Sequence, residues 1–378
     1  MKAAIVSCFG YYDIRLQYVE EVFEERGFEI VLLLSDYDHI NKKYITERTK
    51  NAIRLHVPAY KKNISAIRIL SHFVFADRVY KKLKEEKPDY VYVLVPPNLL
   101  CRKVIQYKTK TNAKVIFDII DLWPESFPTK VLEYTLQKYW RGLRNKYIRY
   151  ADSIVIQCEY YRRFMNGYID NSKQTVIYMC KEKTKSVDYT LNKVLGMDEI
   201  HFVYLGSINS IIDMDAIITL ICNVKKKKKV FLKVIGDGEK RAAFERKLKA
   251  AQIHYQYFGK IFDDKGLEKI LATCHYGINI YKESTAIGLT MKSLDYFRFG
   301  LPVVTQNIVD TGILVEQYKS GYHIRQDNFS EIIDEITSCS FERWSEMQKQ
   351  VEIMYEQEFS ACICKRKLSD VINQIGNS

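Results

Sequence analysis

One short segment of the sequence joins a strand-like apolar run to carboxylates and an aromatic ring. The nine residues Asp118–Ser126 include Asp118, Asp121, Trp123 and Glu125. Carboxylates at the carboxyl end of a parallel strand are well placed to bind hydroxyl groups or to take up protons. In the alternative interpretation, Asp121 only caps a loop and Trp123 only fills the core. We favour a functional segment with Asp121 as its central carboxylate.

A second segment places a lysine and an aspartate on one face of a predicted helix. Lys292 and Asp295 are three residues apart and follow a glycine-containing loop. Near a helix N-terminus, Lys292 can reach a phosphate and Asp295 can accept hydrogen bonds from ribose hydroxyls. A surface ion pair between them is the alternative. We favour a helix that binds phosphate and ribose.

Two common phosphate-binding patterns are missing or incomplete. No G-x-x-x-x-G-K-[ST] segment occurs, and the turn that begins at Gly236 lacks the third glycine of the dinucleotide fingerprint, because Arg241 stands there. That turn, like Gly10 after the first predicted strand, either binds an anion through backbone N–H groups or is a plain turn. The D-x-D triplets at 36–38 and 213–215 resemble a metal site, but we interpret them as loop and helix-start acids.

These residues must be positioned by elements of an α/β fold. Short apolar runs alternate with longer amphipathic stretches, which predicts parallel sheets covered by helices on both faces. The predicted strands are Ala3–Cys8, Glu29–Leu34, Ala52–Val57, Tyr90–Val95, Lys114–Asp118 and Ser153–Cys158, then Ile200–Leu205, Val230–Ile235, Tyr255–Phe258, Tyr276–Tyr281 and Pro302–Thr305. The predicted helices are Arg15–Arg26, Ile64–Glu86, Leu99–Lys110 and Val131–Tyr150, then Asp215–Val224, Glu239–Ala251, Lys265–Thr273 and Met291–Phe299.

The two series predict two doubly wound domains with a cleft at the carboxyl ends of their strands. We place the first domain at residues 1–168, a polar linker region at 169–199 and the second domain at 200–350. A last helical segment, 351–378, has no strand partner.

Composition narrows the class of protein. The 378 residues are 47% hydrophobic, with nine scattered cysteines and no apolar run near the ~20 residues that span a bilayer. A disordered chain, a disulfide framework and a zinc site are therefore unexpected. We expect a soluble cytoplasmic protein.

The positive charge is concentrated in the first half of the chain. Residues 42–114 hold 18 Lys and Arg against five acids, within a chain of net charge +12. Such a face suggests an anionic partner, membrane lipid or nucleic acid, unless it is only a solvated surface. The stretch Lys130–Arg149, with Tyr139 and Trp140 among basic residues, is typical of an interfacial membrane helix.

Taken together, the motifs resemble those of one family of enzymes. The segments Asp118–Ser126, Tyr204–Ser207, Val234–Glu239, Tyr257–Lys260 and Lys292–Val304 are similar to those of GT-B glycosyltransferases of family 4, of the branch that assembles bacterial surface polysaccharides such as lipopolysaccharide, O-antigen or capsule. They recur in the family's order over nearly the whole chain, and the second half matches more closely than the first.

The resemblance implies two Rossmann-like domains, an acceptor-binding N-terminal one and a donor-binding C-terminal one, with the last helix packing back on the first. It implies transfer of a hexosyl or N-acetylhexosaminyl group from a nucleotide-sugar, with retention at the anomeric carbon and with no metal or other cofactor. In this interpretation Asp121 and Lys292 are catalytic. The donor would be bound by Gly206, Ser207, Gly236, Gly259, Lys260, Glu283, Gly288, Leu289, Thr290 and Asp295, and the acceptor by Gly10, Asp118, Trp123 and Glu125.

Some family positions are occupied by other residues. The paired glutamates fall on Ile287 and Asp295, unless Glu283 supplies the first carboxylate, and the usual diphosphate-binding Arg and Lys fall on Ser207 and Asp213. Lys292 is then the best remaining phosphate partner.

The basic surface favours a lipid-linked glycan as acceptor and a peripheral position on the inner face of the cytoplasmic membrane. Three alternatives stay open: a degenerate GT-B partner subunit without activity, a nucleotide-sugar 2-epimerase, and a nucleic-acid-binding module. We expect no nucleic-acid partner, because no recognised motif supports one and the aromatic residues follow an apolar periodicity.

Overall fold

The chain folds into two compact units. The computed structural model describes residues 1–46, 51–62, 65–125, 133–182, 196–283, 285, 287–307 and 309–376. Unit 1 comprises Met1–Cys180 and Ala361–Ser378, and unit 2 comprises Lys181–Ser360.

Unit 1 is built on a parallel sheet of seven strands in the order β5-β2-β1-β6-β7-β8-β9. Its strands are β1 (Lys2–Ser7), β2 (Glu29–Ser35), β5 (Ala52–Leu55), β6 (Tyr90–Val95), β7 (Lys114–Ile119), β8 (Ser153–Ile156) and β9 (Gln174–Val176), and β3 (Tyr37–Asp38) pairs antiparallel with β4 (Lys43–Tyr44). Its helices are α1 (Asp13–Glu24), α2 (Ala66–Glu86), α3 (Leu99–Lys108), α4 (Glu133–Ile148), α5 (Glu159–Met165) and, at the far end of the chain, α13 (Ala361–Gly376).

Unit 2 repeats this plan with a parallel sheet of six strands in the order β12-β11-β10-β13-β14-β15. Its strands are β10 (Glu199–Leu205), β11 (Lys229–Ile235), β12 (His254–Gly259), β13 (Tyr276–Asn279), β14 (Val303–Thr305) and β15 (Gly321–His323). Its helices are α6 (Met214–Lys225), α7 (Arg241–Ala250), α8 (Asp264–Leu271), α9 (Met291–Arg298), α10 (Asp310–Tyr318), α11 (Phe329–Ser338) and α12 (Phe341–Glu358).

The buried central strands explain why the sequence reads as continuous apolar runs. All six residues of β6 and all four of β13 are buried, as expected when helices cover both faces of a parallel sheet. Because all strands of each main sheet are parallel, their carboxyl ends lie along one edge. The loops that follow them carry most of the predicted site residues.

The predicted α/β class and doubly wound plan match this architecture, but the boundaries differ. Residues 174–176, inside the predicted linker, form β9 and pair with β8, so unit 1 extends to Cys180. The predicted last helix, 351–378, is two helices, of which α12 lies in unit 2 and α13 in unit 1. Most of the remaining linker, residues 183–195, lies outside the described residues.

Over the described residues, no helix has both the length and the apolar content needed to cross a membrane.

Candidate functional site

Glycines at the carboxyl ends of β10, β11 and β12 bring three loops of unit 2 together. Gly206 and Gly236 have φ values of +118° and +133°, which side-chain-bearing residues rarely adopt. The Gly236 amide donates to the Gly259 carbonyl at 2.7 Å, and a Cβ on Gly236 would lie 1.9 Å from the Gly206 carbonyl oxygen. The close approach of these loops therefore requires glycine at position 236.

Lys292 lies beside this glycine cluster, in the first turn of α9. Thr290 caps the helix by accepting a hydrogen bond from the Ser293 amide at 3.2 Å. The Lys292 chain runs past Gly206, where a Cβ would be 3.8 Å from its Cε. Its Nζ sits 4.2 Å and 4.5 Å from the ring centroids of Tyr204 and Tyr281. The Lys292 side chain thus extends from the N-terminus of α9 to the loop after β10.

The Lys292 ammonium has no hydrogen-bond partner among the residues that the structure describes. The side chain is buried, and burial lowers its pKa from the ordinary 10.5 to about 7. A helix N-terminus and a lysine without a counter-ion favour an anion at the same place. The geometry therefore suits a phosphate group, as the sequence predicts for Lys292.

Asp295 is engaged in a network within unit 2. Its Oδ1 accepts from Lys181 at 2.6 Å and lies 3.4 Å from Arg298, which also binds both carboxylate oxygens of Asp264. An ion pair with Lys292, the alternative weighed above, is not formed. A ribose hydroxyl that donates to Asp295, as predicted, would therefore bind the same carboxylate as Lys181.

The other predicted donor residues are spread along this edge of unit 2. Ser207, Lys260 and Glu283 are exposed, and Leu289 and Thr290 are half-buried. Gly288 is buried and its carbonyl accepts from the Thr311 hydroxyl at 3.2 Å. Ala286, which the resemblance places with Gly288, Leu289 and Thr290 in one loop facing the diphosphate and sugar, lies outside the described residues. The structure thus places Gly206, Gly236 and Lys292 together, with Thr290 two residues before Lys292 at the start of α9.

In unit 1, Asp118 lies on a strand as predicted, but its side chain is buried and not open to a ligand. It lies on β7 with its side chain fully buried, where Oδ2 accepts from the Tyr92 hydroxyl at 2.6 Å and lies 3.3 Å from Arg15 Nε. Arg15 also donates to the carbonyls of Ile177 and Tyr178. Since Asp118 exposes no surface, the predicted direct contact with an acceptor is corrected to a structural role, the fixing of Arg15.

Glu125 is likewise held by arginines. Arg144 donates to both of its carboxylate oxygens, at 2.7 and 3.0 Å, and Arg141 donates to one of them at 3.0 Å. Burial raises the pKa of Glu125, but the Arg144 hydrogen bonds and charge outweigh burial, so the pKa lies below its usual value. Glu125 therefore orders the loop after β7, and the predicted acceptor contact would compete with two guanidinium groups.

Trp123 and Asp121 occupy that loop and remain partly exposed. The Asp121 amide donates to the Val95 carbonyl at 3.3 Å, and its carbonyl accepts from the Trp123 amide at 3.1 Å. Arg68 lies over the Trp123 ring at 4.2 Å, and the His72 ring is 5.8 Å from it. The loop thus presents Trp123 beside two side chains of α2.

Gly10 is exposed at the start of the short turn Gly10–Tyr12. A Cβ there would meet its nearest neighbour, Asp13 Oδ1, only at 3.9 Å. Nothing in this backbone demands glycine. The predicted role of Gly10 in acceptor binding stays a prediction.

Sequence reasoning missed Arg15, Arg68, His72 and Asn98 of unit 1. Arg68 and His72 lie four residues apart on α2, whereas Arg15 lies on α1 and Asn98 directly precedes α3. No local spacing signals that these three regions come together.

The two D-x-D triplets have ordinary structural roles. Asp38 accepts from the Ile40 and Asn41 amides, and Asp213 caps α6 through the Ala216 amide. This confirms their interpretation as loop and helix-start acids. In the described part of the chain, no three metal-ligating side chains cluster.

Known proteins resemble this chain in sequence and fold. Residues 199–340 match the family model described as "Glycosyl transferases group 1". The chitobiosyldiphosphodolichol beta-mannosyltransferase of Candida glabrata is 26% identical over 98 residues, which are 26% of this chain and 22% of that protein. The match thus spans about a fifth of this relative's length.

Solved structures match over the full chain. The lipopolysaccharide outer core galactosyltransferase WaaB superimposes with a TM-score of 0.68 at 12% identity, covering 99% of both chains. Anabaena HepE in complex with UDP gives a TM-score of 0.67 at 11% identity, covering 99% of this chain and 100% of HepE. At 11–12% sequence identity, this structural similarity establishes the fold alone.

The sequence-based recognition of a GT-B glycosyltransferase is thereby supported by the fold and by the family match. The chain has the GT-B fold, and its residues 199–340 match the model of the glycosyl transferases group 1 family.

Proposed function

We propose that the protein transfers a sugar from a nucleotide-sugar to a glycan acceptor, with unit 2 binding the donor. The observation that carries this proposal is the buried ammonium of Lys292, which has no hydrogen-bond partner in the described part of the chain. It lies beside Gly206 in the region that matches the transferase family. The complex of HepE with UDP, in a protein of the same fold, supports a nucleoside diphosphate as the ligand.

Lys292 would act on the leaving group. When the bond between the anomeric carbon and the phosphate oxygen breaks, the electron pair stays on the diphosphate, and an ammonium within reach stabilises that charge. The amides at the N-terminus of α9 add a second source of positive potential. We propose that these groups suffice without a metal ion.

The transfer would proceed with retention. The acceptor oxygen forms its bond to the anomeric carbon on the face that the diphosphate leaves, and the acceptor proton passes to a diphosphate oxygen. Little acid–base chemistry is then required from the protein, and positioning provides most of the catalysis. Asp121 would orient the acceptor hydroxyl, because it stays partly exposed in the loop that follows β7, whereas Asp118 is fully buried.

A lipid-linked acceptor is the finer part of the proposal. The name of the Candida glabrata mannosyltransferase specifies a dolichol-linked substrate, and WaaB is a galactosyltransferase of the lipopolysaccharide outer core. In unit 1, Ile67 and Leu70 at the start of α2 are 52% and 54% exposed, and Arg78, Lys81 and Lys84 follow on the same helix. Apolar residues flanked by lysines suit an anionic membrane surface. We therefore propose a peripheral enzyme of surface-polysaccharide synthesis.

The predicted interfacial helix contributes less than its composition suggests. Within Lys130–Arg149, residues 130–132 lie outside the described residues. Arg144 is buried and, like Arg141, bound to Glu125. Tyr139 and Lys138 remain exposed and can face lipid.

The test is a thermal-shift screen against UDP-, GDP-, TDP- and CMP-sugars, with and without a chelator. A rise in melting temperature with one nucleotide family, unchanged by chelator, is the expected result. Lys292→Met should lose it, while Lys265→Met, an exposed lysine of α8, should keep it. If no nucleotide changes the melting temperature, the proposed donor site is wrong and a partner subunit without activity becomes the better interpretation. A rise that needs a metal would overturn the metal-free chemistry alone.

A further inference from the structure

Unit 1 contains a small cavity at the carboxyl end of its sheet. The cavity has a volume of about 10 Å³, and residues that follow β6 and β7 line it together with side chains of α2 and α4. The lining includes His72, Asn98, Trp123 and Trp140. Such a volume holds one water-sized group.

Two polar atoms of this lining have no hydrogen-bond partner among the described residues. They are His72 Nε2 and Asn98 Oδ1, and both side chains are more than nine-tenths buried. A buried polar atom without a partner destabilises the folded protein, so two at one cavity indicate that a polar group belongs there.

The orientation of Asn98 is fixed by its own hydrogen bonds. Its Nδ2 donates to the carbonyls of Trp123 at 2.9 Å and of Trp140 at 3.0 Å. Its Oδ1 is therefore an acceptor that faces away from these two carbonyls. A ligand group that donates a hydrogen bond is the natural complement.

His72 is a neutral imidazole. Burial, together with the nearby Arg68 and His39, lowers its pKa to about 3. A neutral ring nitrogen can donate or accept one hydrogen bond, according to tautomer. A hydroxyl group, which donates and accepts at once, satisfies both Asn98 and His72, whereas a fully ionised phosphate has no proton to donate to Asn98.

The surroundings favour a sugar hydroxyl over a permanently enclosed water. Trp123 and Trp140 are only half-buried and Phe73 is exposed, so aromatic surface continues from the cavity to solvent. Arg68 over Trp123 at 4.2 Å holds that ring in place. Apolar rings around a few placed polar atoms are typical of small-ligand sites.

We propose that this cavity is a hydroxyl-binding pocket for the acceptor glycan, in which Asn98 accepts from, and His72 bonds to, one sugar hydroxyl while Trp123 and Trp140 pack on the ring. The proposal rests on the proposed function, since it names the pocket that would bind a hydroxyl of the acceptor sugar. His72 and Asn98 thereby become specificity-determining residues.

The chain offers a direct probe of this pocket, because two of its three tryptophans line it. The full chain labelled with 5-fluorotryptophan gives one ¹⁹F signal each for Trp123, Trp140 and Trp344, which single Trp→Phe variants assign. Trp344, in unit 2 and hydrogen-bonded to the His275 carbonyl, serves as internal control. The titrants are the methyl glycosides of glucose, galactose, mannose and N-acetylglucosamine, and UDP is added separately.

At least one glycoside should shift the Trp123 and Trp140 signals saturably and leave Trp344 unchanged. His72→Phe, which fills the cavity without a polar atom, should weaken this response at least tenfold. His72→Gln, which keeps a polar nitrogen, should retain more of it, and the exposed His56→Phe should retain all of it.

Two results would overturn the pocket. In one, no glycoside shifts either signal although UDP still binds, so the cavity holds water only. In the other, all three signals shift alike, which marks non-specific binding. A saturable glycoside response without any nucleotide binding would leave the pocket standing and count against the proposed donor function.

Discussion

The Nζ of Lys292 lies 4.2 Å from the ring centroid of Tyr204, and its other close aromatic neighbour, Tyr281, is 4.5 Å away. The ring faces attract a cation, but they compensate only part of the solvation that a buried ammonium loses. In the free protein the charged form of Lys292 is therefore disfavoured, and a bound anion would stabilise it. Donor binding, protonation and stability should all be linked through this one side chain.

Nucleotide binding should take up a proton above pH 7. With a pKa of about 7 in the free protein, Lys292 is mostly neutral at pH 8, and a bound diphosphate favours its charged form. Affinity should therefore fall as the pH rises above 7. Calorimetry of UDP binding in two buffers of different ionisation enthalpy measures the uptake. Lys292→Arg, which is always charged, should bind without that uptake. Equal uptake by both proteins would contradict the assignment.

The same lysine should make stability depend on pH. Its pKa is about 7 in the folded chain and near 10.5 when unfolded, so the unfolded state binds more protons between these values. The contribution of Lys292 to the free energy of unfolding therefore increases from pH 7 towards pH 10. Melting temperatures of wild type and Lys292→Met across this range test it. We expect the variant to be the more stable near pH 7, by a few degrees, with a difference that shrinks as the pH rises.

Comparing Gly236→Ala with Gly259→Ala should distinguish the cost of a steric clash from the cost of backbone strain. The new Cβ would lie 1.9 Å from the Gly206 carbonyl oxygen, so the loops beside Lys292 must move apart. We expect a loss of more than about 3 kcal/mol in the free energy of unfolding, and loss of UDP binding. Gly259→Ala is the matched control, because its φ is +71° but nothing lies within 4 Å. Its expected cost is about 1–2 kcal/mol. Equal costs would show that the contact at Gly236 is unimportant.

Asp118→Asn should unfold rather than merely inactivate the protein. Removing one charge leaves the buried guanidinium of Arg15 without its counter-ion, which costs about 3–5 kcal/mol. Denaturant unfolding measures this loss. Asp77→Asn, which breaks a more exposed pair with Lys103, should change stability by less than about 1 kcal/mol. If Asp118→Asn lost transfer activity at unchanged stability, the original prediction of an acceptor-binding Asp118 would be restored.

Association with lipid should depend on the start of α2. Replacing Ile67 and Leu70 together by glutamate adds negative charge to the exposed apolar face and should reduce co-sedimentation with phosphatidylglycerol vesicles at least fivefold. Ile313→Glu changes an equally exposed isoleucine of unit 2 and should have no effect. Vesicle binding that survives the α2 change would place the membrane surface elsewhere.

Much of the fold was predictable from the sequence because parallel sheets leave a strong local signal. The buried run Tyr90–Val95 is predicted to the residue, and most other strands lie within one or two residues of their predicted ends. The short strand β9 was assigned to the linker, because three residues with one buried side chain carry little pattern. Its strand state depends on pairing with β8, which no local window contains.

The candidate site was predictable in part. Gly236 directly follows β11, and Lys292 lies in the first turn of the helix that comes next after β13, so their type and position in the sequence indicate a ligand-binding edge. The opposite holds for Asp118, where a strand-end carboxylate suggested a ligand contact and Arg15, a hundred residues earlier in the chain, makes it structural. His72 and Asn98 likewise form a candidate site only because α2 packs against the turn before α3, which the local sequence does not indicate.

The return of α13 to unit 1 determines the order in which the protein can be completed during synthesis. Arg15 of α1 bonds to Cys364, and Arg26 in the turn after α1 bonds to Ser369, so this region finds part of its partners only in residues that follow all of unit 2. On the ribosome, unit 2 can therefore close as an uninterrupted segment while unit 1 still waits for its last helix. Until α13 emerges, the face of α1 that carries Arg15 and the turn that carries Arg26 stay open to chaperones and proteases.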